Sequence, residues 1–206
     1  MKKILCFGDS NTFGFNPETC GRFDKNSRWS GILSELLNQK YKVIEEGMNN
    51  RTGFFRNSEG LKQSGNEYLP IYLKTNNDFD ICILSLGTND AQIFYPLTIE
   101  AAECGLKKLI STIKLANPRA NIIVIPPVKI TSDLFKSGFA EMFDLNSIKK
   151  IEDTFSIYKI VAEENNCFYF DFNKIATPSS YDGLHYTKDA HLKIAKSLFD
   201  FILQNF

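Results

Sequence analysis

Ser10 closes the segment Phe7-Gly8-Asp9-Ser10, directly after the short apolar run Ile4–Phe7. A hydroxyl where a buried strand leaves a sheet is held rigidly, and a neighbouring base would turn it into a nucleophile. Alone, such a serine reads at least as well as a helix N-cap. Asn89 sits in Leu86-Gly87-Thr88-Asn89-Asp90, after another apolar run, and offers a side-chain amide. Alone, it reads as an Asx-capped turn. Asp182 and His185 lie three residues apart in Tyr181-Asp182-Gly183-Leu184-His185-Tyr186-Thr187. With Gly183 between them the chain can fold back, bringing the carboxylate to one imidazole nitrogen while the other faces outward. Alone, this reads as a surface turn that caps the last helix. The only other histidine, His191, is read as structural or solvated.

Together these residues supply nucleophile, base, base-orienting carboxylate and oxyanion donor, in the chain order Ser, Asp, His. They converge only if one edge of a sheet collects them. Apolar runs at Ile4–Phe7, Tyr41–Ile44, Ile81–Leu86, Ile122–Ile125 and Phe168–Phe170 are too short for stable helices, and the later ones are continuous, as in strands buried on both faces. Helical stripes lie between and after them: Leu33, Leu36, Leu37; Leu106, Leu109, Ile110, Ile113; Ile151, Phe155, Tyr158, Ala162; and Leu192, Ala195, Phe199, Ile202. Strand–helix alternation predicts a parallel sheet with helices on both faces, whose C-terminal edge is where ligands bind.

The 206 residues read as a single domain, 1–206, without linker or repeat. Lys plus Arg and Asp plus Glu both number 24, with no long run of either sign. That balance argues against nucleic acid or an anionic membrane as partner and favours a small or neutral substrate. Of the five cysteines, Cys6, Cys82 and Cys167 sit in or beside apolar runs, and no pair has metal or redox spacing. They read as reduced thiols, which points to the cytoplasm. The apolar stretch after Met1-Lys2-Lys3 is too short for a signal peptide, and none is long enough to span a bilayer. No metal and no organic cofactor are implied.

The chain resembles the SGNH, or GDSL-like, hydrolases. Gly8-Asp9-Ser10-Asn11-Thr12 is similar to their first block, Gly87-Thr88-Asn89-Asp90 to the third and Asp182-Gly183-Leu184-His185 to the last. Glu45-Glu46-Gly47-Met48-Asn49-Asn50-Arg51-Thr52 resembles the second block of the intracellular arylesterases that also act as acyltransferases, as do Arg28-Trp29-Ser30-Gly31 and Tyr68-Leu69-Pro70. The resemblance implies a flavodoxin-like α/β/α sandwich on a five-stranded parallel sheet. It also implies a serine esterase acting on small acyl groups such as acetyl, with Ser10, Asp182 and His185 as catalytic residues.

By the same resemblance the oxyanion hole comprises the Ser10 N–H, the Asn89 side chain and the N–H of Asn50, which stands where the family usually has glycine. Asn tolerates the unusual backbone angles of such a position. Gly47 reads as a turn residue, and Asp9 and Asp90 as structural partners of the loops. The expected substrate contacts are Asn11, Phe13, Phe54 and Phe94, with Phe15, Phe55, Ile93 and Tyr95 nearby. The apolar segment Lys129–Asp144 is expected to cover the site or to pack against a second subunit of a homo-oligomer. Sugar or metabolite deacetylase, thioesterase and lysophospholipase remain open on the same triad. A non-catalytic binding module that cradles phosphate at Gly8–Gly14 also remains, although no Lys-Ser or Lys-Thr follows that loop.

Overall fold

A computed structural model describes residues 1–206, except for the side chain of Gln39. The five apolar runs form strands β1 (Lys2–Gly8), β2 (Tyr41–Gly47), β3 (Ile81–Ser85), β4 (Asn121–Ile125) and β5 (Phe168–Tyr169). They pair in parallel in the order β2-β1-β3-β4-β5. That order reverses between β1 and β3, and the switch point of a doubly wound sheet opens a crevice at its carboxyl edge. The register places Gly8, Gly47, Ser85 and Ile125 in one row along that edge. The loops that carry Ser10, Asn50 and Asn89 therefore leave the sheet side by side.

Six α-helices accompany the strands: α1 (Ser10–Phe13), α2 (Trp29–Leu37), α3 (Gly65–Leu73), α4 (Ile99–Ala116), α5 (Leu145–Glu164) and α6 (Lys188–Asn205). α2 packs on α6, while α3, α4 and α5 pack in series, which gives the three-layer sandwich. The predicted α4 stripe, Leu106, Leu109, Ile110 and Ile113, is buried in one core with the strand residues. Thr98 caps its start by accepting from Ala101 N–H, and the helix ends at Ala116, before Asn117-Pro118. Asp144 and Ser147 form a capping box at the start of α5.

Two helices have no counterpart among the stripes, the single-turn α1 and the longer α3. α3 has a weak apolar stripe and contains Pro70, which has no N–H to donate to the preceding turn. Burial of Leu69 and Leu73 holds it in place.

Candidate active site

Asp9 begins the site. Its carboxylate accepts from Asn11 N–H at 3.0 Å, so Asp9 caps α1 and Ser10 occupies the first helical position. The competing reading of Ser10 as the cap is thereby excluded, and its hydroxyl is free to face another group. Ser10 Oγ lies 2.8 Å from His185 Nε2, and His185 Nδ1 lies 2.7 Å from Asp182 Oδ2. All three residues are buried.

The Asp182–His185 turn is built from its own backbone. Asp182 Oδ1 accepts from Ser179 Oγ at 3.0 Å, Leu184 N–H at 3.0 Å and His185 N–H at 2.9 Å. Gly183 has φ +62, the left-handed conformation that reverses the chain. A Cβ there would also overlap the backbone of Thr131 and Leu134. Burial raises the Asp182 pKa, but hydrogen bonds from the His185 ring and from the His185 and Leu184 N–H groups outweigh it and hold the carboxyl below its ordinary value. Asp182 thus stays ionised beside the imidazole. Phe15 and Phe139 flank that ring at centroid distances of 4.3 and 5.2 Å.

The oxyanion candidates meet at the same place. Asn50 has φ +57, the backbone state expected of a residue standing where glycine is usual. Among the described residues, neither Ser10 N–H nor Asn50 N–H has an acceptor. Asn89 Nδ2 donates to Arg51 O at 3.0 Å, which leaves its second hydrogen free.

Ser10, Asn50, Asn89 and His185 line one cavity of about 260 Å³, together with Phe15, Asn49, Glu59, Phe139, Met142, Phe143 and Leu184. One wall is apolar and comes largely from the 129–144 segment. The other is polar and comes from the loop after β2. Of the two expectations for Lys129–Asp144, covering the site is the one these contacts match, since Phe139, Met142 and Phe143 form part of the cavity wall. The segment is tied down by Thr131 N–H to Gly183 O at 2.9 Å and by Ile93 N–H to Met142 O at 3.0 Å.

The four expected substrate contacts lie elsewhere, and each has a local reason. Asn11 turns inward, donating to Leu184 O at 3.2 Å and accepting from Tyr186 N–H at 3.1 Å, so it fastens the Asp182–His185 turn to α1. Phe13 packs under the Arg22 guanidinium at 4.5 Å. Phe54 lies against Gly105 and Tyr158. Phe94 points to solvent, 64% exposed. Phe15, two residues beyond Phe13, is the aromatic of that loop that lines the cavity.

Two further sequence readings are refined. Gly47 is required by close approach, because a Cβ there would overlap Phe13 N. Asp90 partners the loops: it accepts from Gly53 N–H at 2.6 Å, Phe54 N–H at 2.7 Å and Phe55 N–H at 3.2 Å, joining the loops after β2 and β3. Burial raises both Asp9 and Asp90 to about 6, and neither lines the cavity.

Residues 4–198 match the family model described as GDSL-like lipase/acylhydrolase. The chain belongs to the GDSL-like lipase/acylhydrolase family. Like other members, this GDSL-like hydrolase is a carboxylic ester hydrolase. It is similar to the inhibitor-bound aryl esterase of M. smegmatis, at 25% identity and TM-score 0.91 over 100% of both chains. It is also similar to a carbohydrate acetylesterase family member from Sinorhizobium meliloti, at 26% identity and TM-score 0.90 over 99% of this chain and 98% of that one. A further carbohydrate acetylesterase from Sinorhizobium meliloti matches at 25% identity and TM-score 0.90 over 100% of both. Comparison with curated protein sequences returns no match. Among the described residues the cysteines are unpaired, no cluster of potential metal ligands occurs, and no helix is long and apolar enough to cross a membrane.

His191 lies outside the cavity and is structural, buried where its helix α6 meets the start of α2. Its Nδ1 accepts from Trp29 N–H at 3.3 Å, and its ring packs edge-on against Phe23 and Tyr186. Burial, reinforced by the nearby His185, lowers its pKa to about 3, so it is neutral when folded. A histidine whose folded pKa is depressed contributes stability above its ordinary value near 6.5 and loses it as pH falls toward the folded value. The native protein is therefore expected to lose on the order of 1.4 kcal/mol per pH unit through this residue below about 6.5. His191→Asn, which retains an acceptor for Trp29, should show a correspondingly shallower decline in urea-unfolding free energy between pH 7 and 5. Parallel pH profiles for the two proteins would refute this.

Proposed function

We propose that this hydrolase is a serine esterase that removes small acyl groups, acetyl above all, through an acyl-enzyme on Ser10. The observation that carries this reading is the continuous line from Ser10 Oγ through His185 to Asp182 at the floor of a small cavity. His185 Nε2 takes the hydroxyl proton as Oγ attacks the ester carbonyl carbon. The carbonyl oxygen becomes an oxyanion, which accepts hydrogen bonds from Ser10 N–H, Asn50 N–H and Asn89 Nδ2. Asp182 orients the imidazole and stabilises its cation. As the tetrahedral intermediate collapses, imidazolium gives its proton to the departing alkoxide, and the acyl group stays on Oγ. A water, deprotonated by His185, then attacks the acyl carbon, releases the acid and restores the Ser10 hydroxyl. An alcohol in place of water gives acyl transfer, and the apolar wall of Phe15, Phe139, Met142, Phe143 and Leu184 favours such an acceptor.

Reaction with a fluorophosphonate tests the nucleophile directly. One phosphonyl adduct on the peptide that contains Ser10 is expected, and labelling elsewhere or none would sink the assignment.

Cavity size supports the preference for short acyl groups, since about 260 Å³ is below the roughly 300–1,000 Å³ of sites for drug-sized ligands. On p-nitrophenyl esters, kcat/KM should fall by on the order of tenfold or more between acetate and octanoate. Phe139→Ala should lessen that fall by opening the wall. An equal preference for octanoate would contradict the reading.

A second reading has its own observation. Asn49, Asn50 and Glu59 form a polar flank suited to the hydroxyls of a sugar or polyol acetate. Comparison of kcat/KM on acetylated sugars and on aryl acetates separates the two.

The unpaired cysteines suit a reducing, cytoplasmic setting. Exposed Phe94 and Leu145 suit self-association, although the 129–144 segment itself is engaged with the cavity. Nothing in the proposed chemistry calls for a nucleic acid, a membrane or a cofactor.

A further inference from the structure

Gln92 touches none of the reacting atoms, yet it joins two of the three oxyanion donors. Its side chain is buried, and Nε2 donates both hydrogens: to Asn50 Oδ1 at 2.7 Å and to Asn89 Oδ1 at 3.1 Å. The consequence for Asn89 is its amide orientation. With Oδ1 held by Gln92 and Nδ2 donating to Arg51 O, a flipped amide would set oxygen against the Arg51 carbonyl and nitrogen against the Gln92 amide. The unflipped amide therefore presents N–H, not oxygen, to the cavity.

The consequence for Asn50 is its backbone. Left-handed φ in a residue with a Cβ is strained and persists only where the surroundings over-determine it. Here Gln92 holds Oδ1, Nδ2 donates to Glu59 Oε1 at 2.5 Å, and the Asn50 carbonyl accepts from Asn57 Nδ2 at 2.7 Å. Three anchors on one residue fix the direction of its free N–H.

We infer that Gln92 is a positioning residue of the oxyanion hole, aligning the Asn89 amide and the Asn50 N–H for the transition state through one two-pronged hydrogen-bonded bridge. The inference rests on the proposed oxyanion role of Asn50 and Asn89. It assigns Gln92 an effect on the transition state more than on substrate binding, because the developing oxyanion depends on donor geometry more strongly than the neutral ester does.

The test is a double-mutant cycle on p-nitrophenyl acetate. Gln92→Met keeps side-chain length and removes both donors. It should lower kcat by on the order of 10- to 100-fold, less than the roughly 10²–10³ lost with a whole donor, while KM changes little. Combined with Asn89→Ala, the same substitution should cost much less, because part of what Gln92 aligns is already gone. Should Gln92→Met fail to fold by circular dichroism, Gln92→Glu takes its place. It preserves shape but turns oxygen toward both asparagine carbonyls, so it should lower kcat in the same coupled manner. An unchanged kcat, a rise in KM alone, or an equal loss in both backgrounds would overturn the role of Gln92. Full kcat in Asn89→Ala alone would instead overturn the oxyanion reading beneath it.

Discussion

Ser10→Ala is expected to reduce ester turnover by on the order of 10⁴–10⁶ in kcat while leaving the fold intact. The size of the loss follows from the geometry. Ser10 Oγ is the hydroxyl in hydrogen-bonding reach of His185 Nε2, and without it the imidazole has no nucleophile of the chain to deprotonate. The small structural cost follows equally. Asp9, not Ser10, caps α1, so removal of Oγ leaves the helix start satisfied. Alanine also suits a first-turn position and leaves the backbone N–H in place. Steady-state hydrolysis of p-nitrophenyl acetate together with a thermal melt measures both halves. Activity within about 100-fold of the parent, in a preparation free of native protein, would mean that another group carries the acyl chain.

Arg51→Met should produce the largest loss of stability. The Arg51 side chain is fully buried and joins the ends of two strands. Nη1 donates to Gly8 O at 3.1 Å and Glu46 O at 2.6 Å, Nη2 to Glu46 Oε1 at 3.0 Å, and Nε to Lys62 O at 2.7 Å. The guanidinium also lies over Phe7 at 4.3 Å and Tyr68 at 5.2 Å. Methionine fills the space but takes the guanidinium donors from the Glu46 and Lys62 carbonyls and the Glu46 carboxylate, and leaves Gly8 O with Met48 N–H alone. Breaking a buried charge pair in this way costs about 3–5 kcal/mol, a large share of the roughly 5–15 kcal/mol that holds a domain together. The melting temperature should fall by about 10 °C or more. Arg51→Lys keeps the charge, but its single ammonium lacks the planar fork that reaches all four acceptors. It should fall between the two. Urea unfolding with an unchanged m-value measures the difference, and a shift below about 1 kcal/mol would show that the loops after β1 and β2 are held by other contacts.

Some of this molecule is written in contiguous segments. The central strands β1, β3 and β4 appear as apolar runs because they are buried, the edge strands β2 and β5 because they are partly so, and the helices α2, α4, α5 and α6 appear as stripes because one face of each packs inward. The Asp182–His185 pair is equally local: a glycine at φ +62 and three bonds to Asp182 Oδ1 lie within seven residues. α3 was not legible, because Pro70 and a mixed face hide it and packing maintains it.

What the sequence alone determined, therefore, was the set of candidate reacting groups, their order and the sheet edge that gathers them. These depend on short-range pattern and on topology, both of which are read from residue type and spacing. Only the tertiary structure decided which neighbours surround them. Phe15 and not Phe13 reaches the cavity, because the chain turns at Gly14 in the left-handed conformation, and Phe13 is left beneath Arg22. Phe139, Met142 and Phe143 enter from more than a hundred residues beyond Ser10, and Gln92 meets Asn50 from 42 positions further along the chain. Such contacts follow from side-chain direction and from loops that meet only after the sheet has formed, and no local pattern along the chain encodes either.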